Sequence, residues 1–407
     1  MGSATLPMAA QPPQALQGLK VVEMGTLIAG PFAARLLAEF GADVVKVEDP
    51  KGGDPLRNWR KLHKGTSLWW HSQARNKRSI TVNLRDPEGQ EIVRALARRA
   101  DVVIENFRPG ALEKWNLGYD ELSRENPGLI MVRLSGFGQS GPYRDRPGFG
   151  AIGEAMGGLR HLTGEPGRPP SRVGISLGDS LAGLYGVIGA LLALQHRQAN
   201  GGRGQVVDVA LYEAVFSLLE STLTEYGMGG FVRERSGGAL PGITPSNTYP
   251  CKDGGYVVIG ANGDAIFRRL MRAMEREDLA EDPALADNAG RTARAHELDG
   301  AISAWTSRFD LDEALRRLEQ ADVPCGRIYS IADIARDAHY AARGMIEEAR
   351  LEGGEEVLLP GIVPKLSRTP GKTRWTGPRL GEHTAEILRE LGYDEERQGA
   401  LRKRGVV

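Results

Sequence analysis

At 407 residues, with 52 Lys and Arg against 52 Asp and Glu, the chain exceeds one ordinary core and carries no net charge. That predicts two domains and excludes the strongly basic surfaces used for nucleic acid or anionic membranes. Only Cys251 and Cys325 are present, which excludes a disulfide framework and fits a reducing cytoplasm; the seven histidines show no paired spacing, so no metal site is expected.

Residues 1–18 have neither a basic start nor a long apolar run and read as a flexible leader rather than a signal peptide. LKVVEMG (19–25) is an apolar strand run, PFAARLLAEFG (31–41) a helix with Pro in its first turn, and ADVVKVE (42–48) a second strand. The alternation recurs as SITVNL (79–84), DPEGQEIVRALARRA (86–100) and DVVIENF (101–107), with Asp86 as helix cap and Pro87 at the first helical position. LIMVRLSGFG (129–138) adds a strand. LGDSLAGLYGVIGALLAL (177–194) reads as a long buried helix, interrupted by Gly183, Gly186 and Gly189, which fits a core better than a membrane span. QVVDVAL (205–211) then leads into a helix over EAVFSLLESTLTEYG (213–227). Strands alternating with helices predict a Rossmann-like parallel sheet covered on both faces.

Near Gly229 the chain becomes rich in Gly and Pro. A hairpin is expected around Asp253-Gly254, followed by helices that include 311–322. The expected organisation is a large α/β domain over 19–228, a smaller α+β domain over 229–330, and a return to the large domain over 331–407.

Several stretches carry possible chemistry. GTLIAGP (25–31) lacks the G-x-G-x-x-G spacing of a dinucleotide site, which counts against an NAD-dependent dehydrogenase. RNKRS (75–79) is either a solvated charge run or a site for a phosphate. Asn106 and Phe107 end a strand, where an amide and an aromatic face can meet a base. The glycine-dense loops 134–149, including Phe137, and 257–267 can bring backbone N–H groups against an anion. Asp179 either caps its helix or acts as a nucleophile.

LKVVEMGTLIAGPFAARLLAEFGADVVKVE, GGDPLR (52–57), RNKRSITVNL, ADVVIENFRPGAL, GFGQSGP and GDSLAGLYGVIGAL occur in one order. Together they resemble the family III CoA-transferases, the formyl-CoA and carnitine CoA-transferase type, over nearly the whole chain. The resemblance implies an interlocked homodimer, no permanently bound cofactor, and CoA or acyl-CoA as substrate. It places the catalytic nucleophile at Asp179. CoA contacts fall on Ile28 and Ala29 beside the A-G-P turn, on Asn106 and Phe107, and on Phe137, with Gly260, Ala261, Asn262 and Gly263 as a loop closing over the site. Formyl-CoA transferases have Gln where this chain has Ile28, and Arg where it has Asp49, so the CoA phosphates need other cations: Lys46, Arg75, Lys77 or Lys114. α-Methylacyl-CoA racemases share the fold and use a His where this chain has Phe149, which disfavours that reaction. A non-catalytic CoA-binding homologue is the remaining alternative. The resemblance points to succinyl-CoA as donor and acids such as mesaconate, citramalate or glutarate as acceptors. Arg172 and Arg60 are candidates for a distal carboxylate; Trp69, Trp70 and His71 read as core.

Overall fold

The computed structural model describes residues 14–407. Among them the chain divides into two compact units. The first runs through Leu159, takes in Val173–Gly229 and closes with Gly344–Val407; the second holds Arg160–Arg172 and Gly230–Arg343. Residues 1–13 of the expected leader lie outside the described residues, while Leu16 donates its N–H to the Phe40 carbonyl at 2.9 Å.

Six strands form the sheet of the first unit: β1 (Lys20–Glu23), β2 (Asp43–Glu48), β3 (Lys77–Thr81), β4 (Val102–Glu105), β5 (Ile130–Ser135) and β6 (Val206–Ala210). All pair in parallel, in the order β3-β2-β1-β4-β5-β6. This is the doubly wound order, in which the chain reverses direction across the sheet between β1 and β4. Such sheets bind ligands in the crevice outside the carboxyl ends of those two strands.

Helices cover both faces, and alternate strand residues feed two cores. Val22, Val103 and Ile80 join Ile92 and Leu96 of α2 (Pro87–Ala97) on one side. Val21, Ile104 and Val132 join Ala33 and Leu37 of α1 (Ala29–Glu39) on the other. The α2 start is as expected: Asp86 accepts the Glu88 N–H at 2.8 Å, and Pro87 opens the helix. Between β5 and β6 come the short α3 (Gly150–Met156) and the long α4 (Leu177–Ala199).

α4 departs from a buried helix. Gly178, Ala182, Gly183, Gly186, Ala190 and Ala193 are buried, but Leu184, Ile188, Leu191 and Leu192 are exposed. The small residues form a flat ridge that lets α4 lie close on α1 and β5. At Gly183 a Cβ would stand 3.0 Å from the Ala29 carbonyl oxygen, and at Gly186 3.2 Å from Val132. The single helix expected over 213–227 is two, Leu211–Phe216 and Thr222–Gly229, separated where Glu220 adopts φ +49°.

In the second unit β7 (Ser246–Pro250), β8 (Tyr256–Gly260) and β9 (Cys325–Arg327) make an antiparallel sheet with β8 central. The β7–β8 turn holds Asp253 and Gly254, and α5 (Asp264–Ala273) and α6 (Leu311–Gln320) pack their apolar faces on the sheet. Back in the first unit, β10 (Ile346–Arg350) and β11 (Glu356–Pro360) form a hairpin. The chain ends in α7 (Thr384–Glu390) and α8 (Glu395–Lys403). Ile387, Leu388 and Leu401 from these two helices complete the core beneath α2, each burial stabilising the fold by about 1.5–3 kcal/mol.

Candidate active site

The β1–α1 turn lies at the point where the sheet order reverses, and three neighbours fix it. The Asn106 amide, at the end of β4, pairs with Thr26 like a strand partner: Oδ1 accepts the Thr26 N–H at 2.8 Å and Nδ2 donates to the Thr26 carbonyl at 2.8 Å. Leu27 sits at φ +65°, a conformation that costs a non-glycine residue about 1 kcal/mol or more. The Asp54 carboxylate holds it there, accepting the Leu27 N–H at 2.9 Å. Lys46 donates to the Gly25 carbonyl at 2.8 Å.

Beneath the turn lies a buried charge network. The Lys46 ammonium meets Glu23 at 2.8 Å and Asp54 at 2.9 Å, and Lys77 meets the other Glu23 oxygen at 2.7 Å. Burial alone would depress Lys46, but Asp54, Glu23 and Glu48 together raise its pKa above the usual lysine value. Lys77, equally buried and with less acidic company, is pulled down to about 8 by desolvation despite Glu23. Burial would raise Asp54; the Lys46 charge and the Leu56 and Leu27 N–H groups outweigh it and hold the carboxyl below its ordinary value. Glu48 is likewise held low, against burial, by its paired bonds to Arg57, the charge of Lys46 and the Ser79 hydroxyl.

Two cavities open at this crevice. The larger, of about 260 Å³, is lined by Lys46, Asp49, Gly53, Asp54, Arg85 and Trp115. The smaller, of about 100 Å³, is lined by Ile28, Ala29, Asn106, Arg108, Phe149 and Asp179. Thr26 and Phe107 line both, so the two cavities adjoin at the Phe107 ring. That ring is fixed edge-on against Trp115, with centroids 5.4 Å apart.

Asp179 is the third residue of α4, inside its first turn, where the helix dipole favours negative charge. It is not the cap. Ser176 holds that position without a side-chain bond, and the buried Glu154 of α3 supplies the missing acceptor, taking the Gly178 N–H at 3.3 Å. The Asp179 carboxylate lies against Gly150, where a Cβ would sit 2.6 Å from its Cγ.

The structure thus brings Asp179, Ile28, Ala29, Asn106 and Phe107 to one cavity and Lys46 to the other. Asn106, however, spends its amide on Thr26, and Lys46 is neutralised by carboxylates. Arg75 and Lys77 line neither cavity. Both are buried, Arg75 paired with Glu39 at 2.7 Å and Lys77 with Glu23, because RNKRS enters the sheet instead of lying on a solvated face. Lys114 is exposed and lines neither. Phe137 packs on Tyr143 and Tyr212. Gly260, Ala261, Asn262 and Gly263 join β8 to α5 in the second unit, which also holds Arg172; buried Arg291 pins their loop by donating to the Asn262 carbonyl at 2.7 Å. Arg60 stacks on Trp69, while Trp70 is fully buried with its indole N–H on the Pro378 carbonyl. Sequence reasoning missed Arg85, Arg108, Arg144 and Arg146 as lining cations. Among the described residues no cluster of three His, Cys, Asp or Glu is disposed to hold a metal.

Residues 16–384 match the model of CoA-transferase family III. The chain belongs to CoA-transferase family III. It is 50% identical over 399 residues to the succinyl-CoA–D-citramalate CoA-transferase of Chloroflexus aurantiacus, covering 98% of this chain and 99% of that one. It is 37% identical over 385 residues to the succinate–glutarate CoA-transferase of Agrobacterium fabrum, covering 92% and 95%. Among solved structures, a CAIB/BAIF family protein from Brucella suis superposes with TM-score 0.83 at 37% identity, covering 93% of this chain and all of that one. In this family III CoA-transferase, Asp179 and the turn at the sheet's reversal point line the same small cavity.

Proposed function

We propose that this CoA-transferase moves CoA from succinyl-CoA to a second dicarboxylic acid, with Asp179 as the covalent carrier. The observation that carries this reading is the Asp179 carboxylate at the wall of a small cavity that adjoins, at Phe107, the larger cavity at the sheet's reversal point. Relatives named for succinyl-CoA with citramalate or malate, and for succinate with glutarate, support the substrate class.

The chemistry must preserve the thioester's free energy. A carboxylate oxygen of Asp179 attacks the thioester carbonyl and expels CoA thiolate, leaving an acyl-aspartyl anhydride. The thiolate then attacks the aspartyl carbonyl, releases succinate and forms an aspartyl-CoA thioester. The acceptor carboxylate attacks that thioester, regenerating thiolate and a second anhydride. Attack of thiolate on the acceptor's carbonyl yields the new acyl-CoA and frees Asp179. No base is needed, because aspartates are ionised at neutral pH. Position 149, which carries the racemases' proton-exchanging His, presents an exposed Phe to the same cavity and cannot take a proton.

In this reading the enzyme is a cytoplasmic homodimer that needs no resident cofactor. The test is transfer from succinyl-CoA to a panel of dicarboxylic acids, with product acyl-CoA read by chromatography. At least one acid should accept CoA, and Asp179→Ala should lower the rate by at least about 1,000-fold. Transfer that survives the substitution would overturn the reading.

A further inference from the structure

The smaller cavity holds more cationic side chains than the covalent steps require. Arg108, Arg144 and Arg146 line it, and Asp179 is its one acidic residue among the described residues. The three arginines differ in what already occupies them. Arg108 adjoins Phe107, which lines both cavities, and neither a ring nor a carboxylate among the described residues holds its guanidinium. Arg144 has the carboxylate of Asp145 at 3.4 Å. No carboxylate among the described residues pairs with Arg146; its guanidinium stacks on Tyr143, 3.6 Å from the ring centroid.

That stack is built up from below. Tyr143 stands edge-on to Phe137 at 6.1 Å, and Phe137 packs against Tyr212 at 6.4 Å. The loop carrying Tyr143 and Arg146 is closed at its base, where Gly136 and Gly148 approach so closely that a Cβ on either would stand 2.8 Å from the other's Cα. Stacking occupies a face of the guanidinium and leaves its in-plane N–H fork available. A planar fork held in one orientation matches a carboxylate with two parallel hydrogen bonds. The chain neutralises Lys46, Arg75 and Lys77 internally, yet leaves this preorganised fork at the wall shared with the nucleophile.

We propose that Arg146 receives the distal carboxylate of the dicarboxylyl group, fixing one end of the acyl chain while Asp179 attacks the other. The proposal rests on the reading of Asp179 as carrier and assigns the residue that selects diacids over monoacids. A cavity of about 100 Å³ suits a short acyl chain and is far too small for the nucleotide.

The experiment compares wild type, Arg146→Gln and Arg146→Lys in succinyl-CoA kinetics, with the inhibition constant of free CoA as the companion readout. Arg146→Gln should lower kcat/KM for succinyl-CoA by about 10- to 100-fold, the range for losing a hydrogen-bonded charge partner, with Ki for CoA within about twofold of wild type. Arg146→Lys should fall between, since it restores charge without the fork. An unchanged kcat/KM overturns the proposal. So does a parallel rise in the CoA Ki, which would place Arg146 on the CoA phosphates instead. A wild type that transfers nothing from succinyl-CoA would overturn the underlying reading as well, whereas an active wild type with an indifferent Arg146→Gln defeats this inference alone.

Discussion

Asp179 reaches its cavity because the residue facing it has no side chain. A Cβ at position 150 would meet the carboxylate itself, the mobile tip of Asp179 rather than backbone, so Gly150→Ala is sterically cheap for the fold but displaces the reacting group. The variant should keep its thermal midpoint and its CoA inhibition constant while kcat falls by about 100-fold, as expected when a reacting atom is moved by an ångström. Full activity in Gly150→Ala would show that another Asp179 rotamer reacts. At this scale the sequence reveals the acid, since one carboxylate in an apolar, glycine-rich run stands out. It does not reveal Gly150 or Arg146. Both roles depend on what lies opposite in space, and a loop arginine looks the same in sequence whether it faces water or a nucleophile. The reverse holds for Lys46, Arg75 and Lys77. Their charge suggested phosphates, but Glu23 of β1 and Glu39 of α1 lie beside them in the fold.

α4 shows what periodicity can and cannot tell. Its small residues at 183, 186, 190 and 193 mark the face that packs on α1 and β5, and that face is buried as the spacing predicts. The opposite face is also apolar, and nothing in an all-apolar pattern separates a core-facing Leu from one that awaits another surface. Leu184, Ile188, Leu191 and Leu192 are exposed in the single chain, a contiguous run of the kind that marks an interaction surface. For the homodimer proposed above, we expect a second copy to cover this face. Sedimentation velocity at micromolar concentration should therefore show a dimer, and Ile188→Asp with Leu192→Asp should shift it toward monomer or aggregate. A wild-type monomer would contradict the assignment.

At the scale of the whole molecule, the strand–helix alternation discloses a parallel sheet but not its order. Only the structure shows that β1 and β4 flank the reversal where Thr26, Asn106 and Phe107 converge. The charges that support this crevice also tie stability to pH. Asp54 and Glu48 have pKa values below their ordinary range, so their contribution is complete above the unfolded carboxylate values near 4 and is lost as pH falls through the folded values. The urea midpoint should drop between about pH 5 and pH 3. Asp54→Asn, which removes one such group, should be less stable at pH 7 and show a shallower acid dependence; equal slopes would mean the network does not govern acid unfolding.

The most direct test of the central claim is the intact mass of the protein after mixing with succinyl-CoA, followed by hydroxylamine. The account predicts a CoA-sized adduct that hydroxylamine removes and that is absent from Asp179→Ala. Turnover without any adduct, or an adduct that persists in Asp179→Ala, would contradict it.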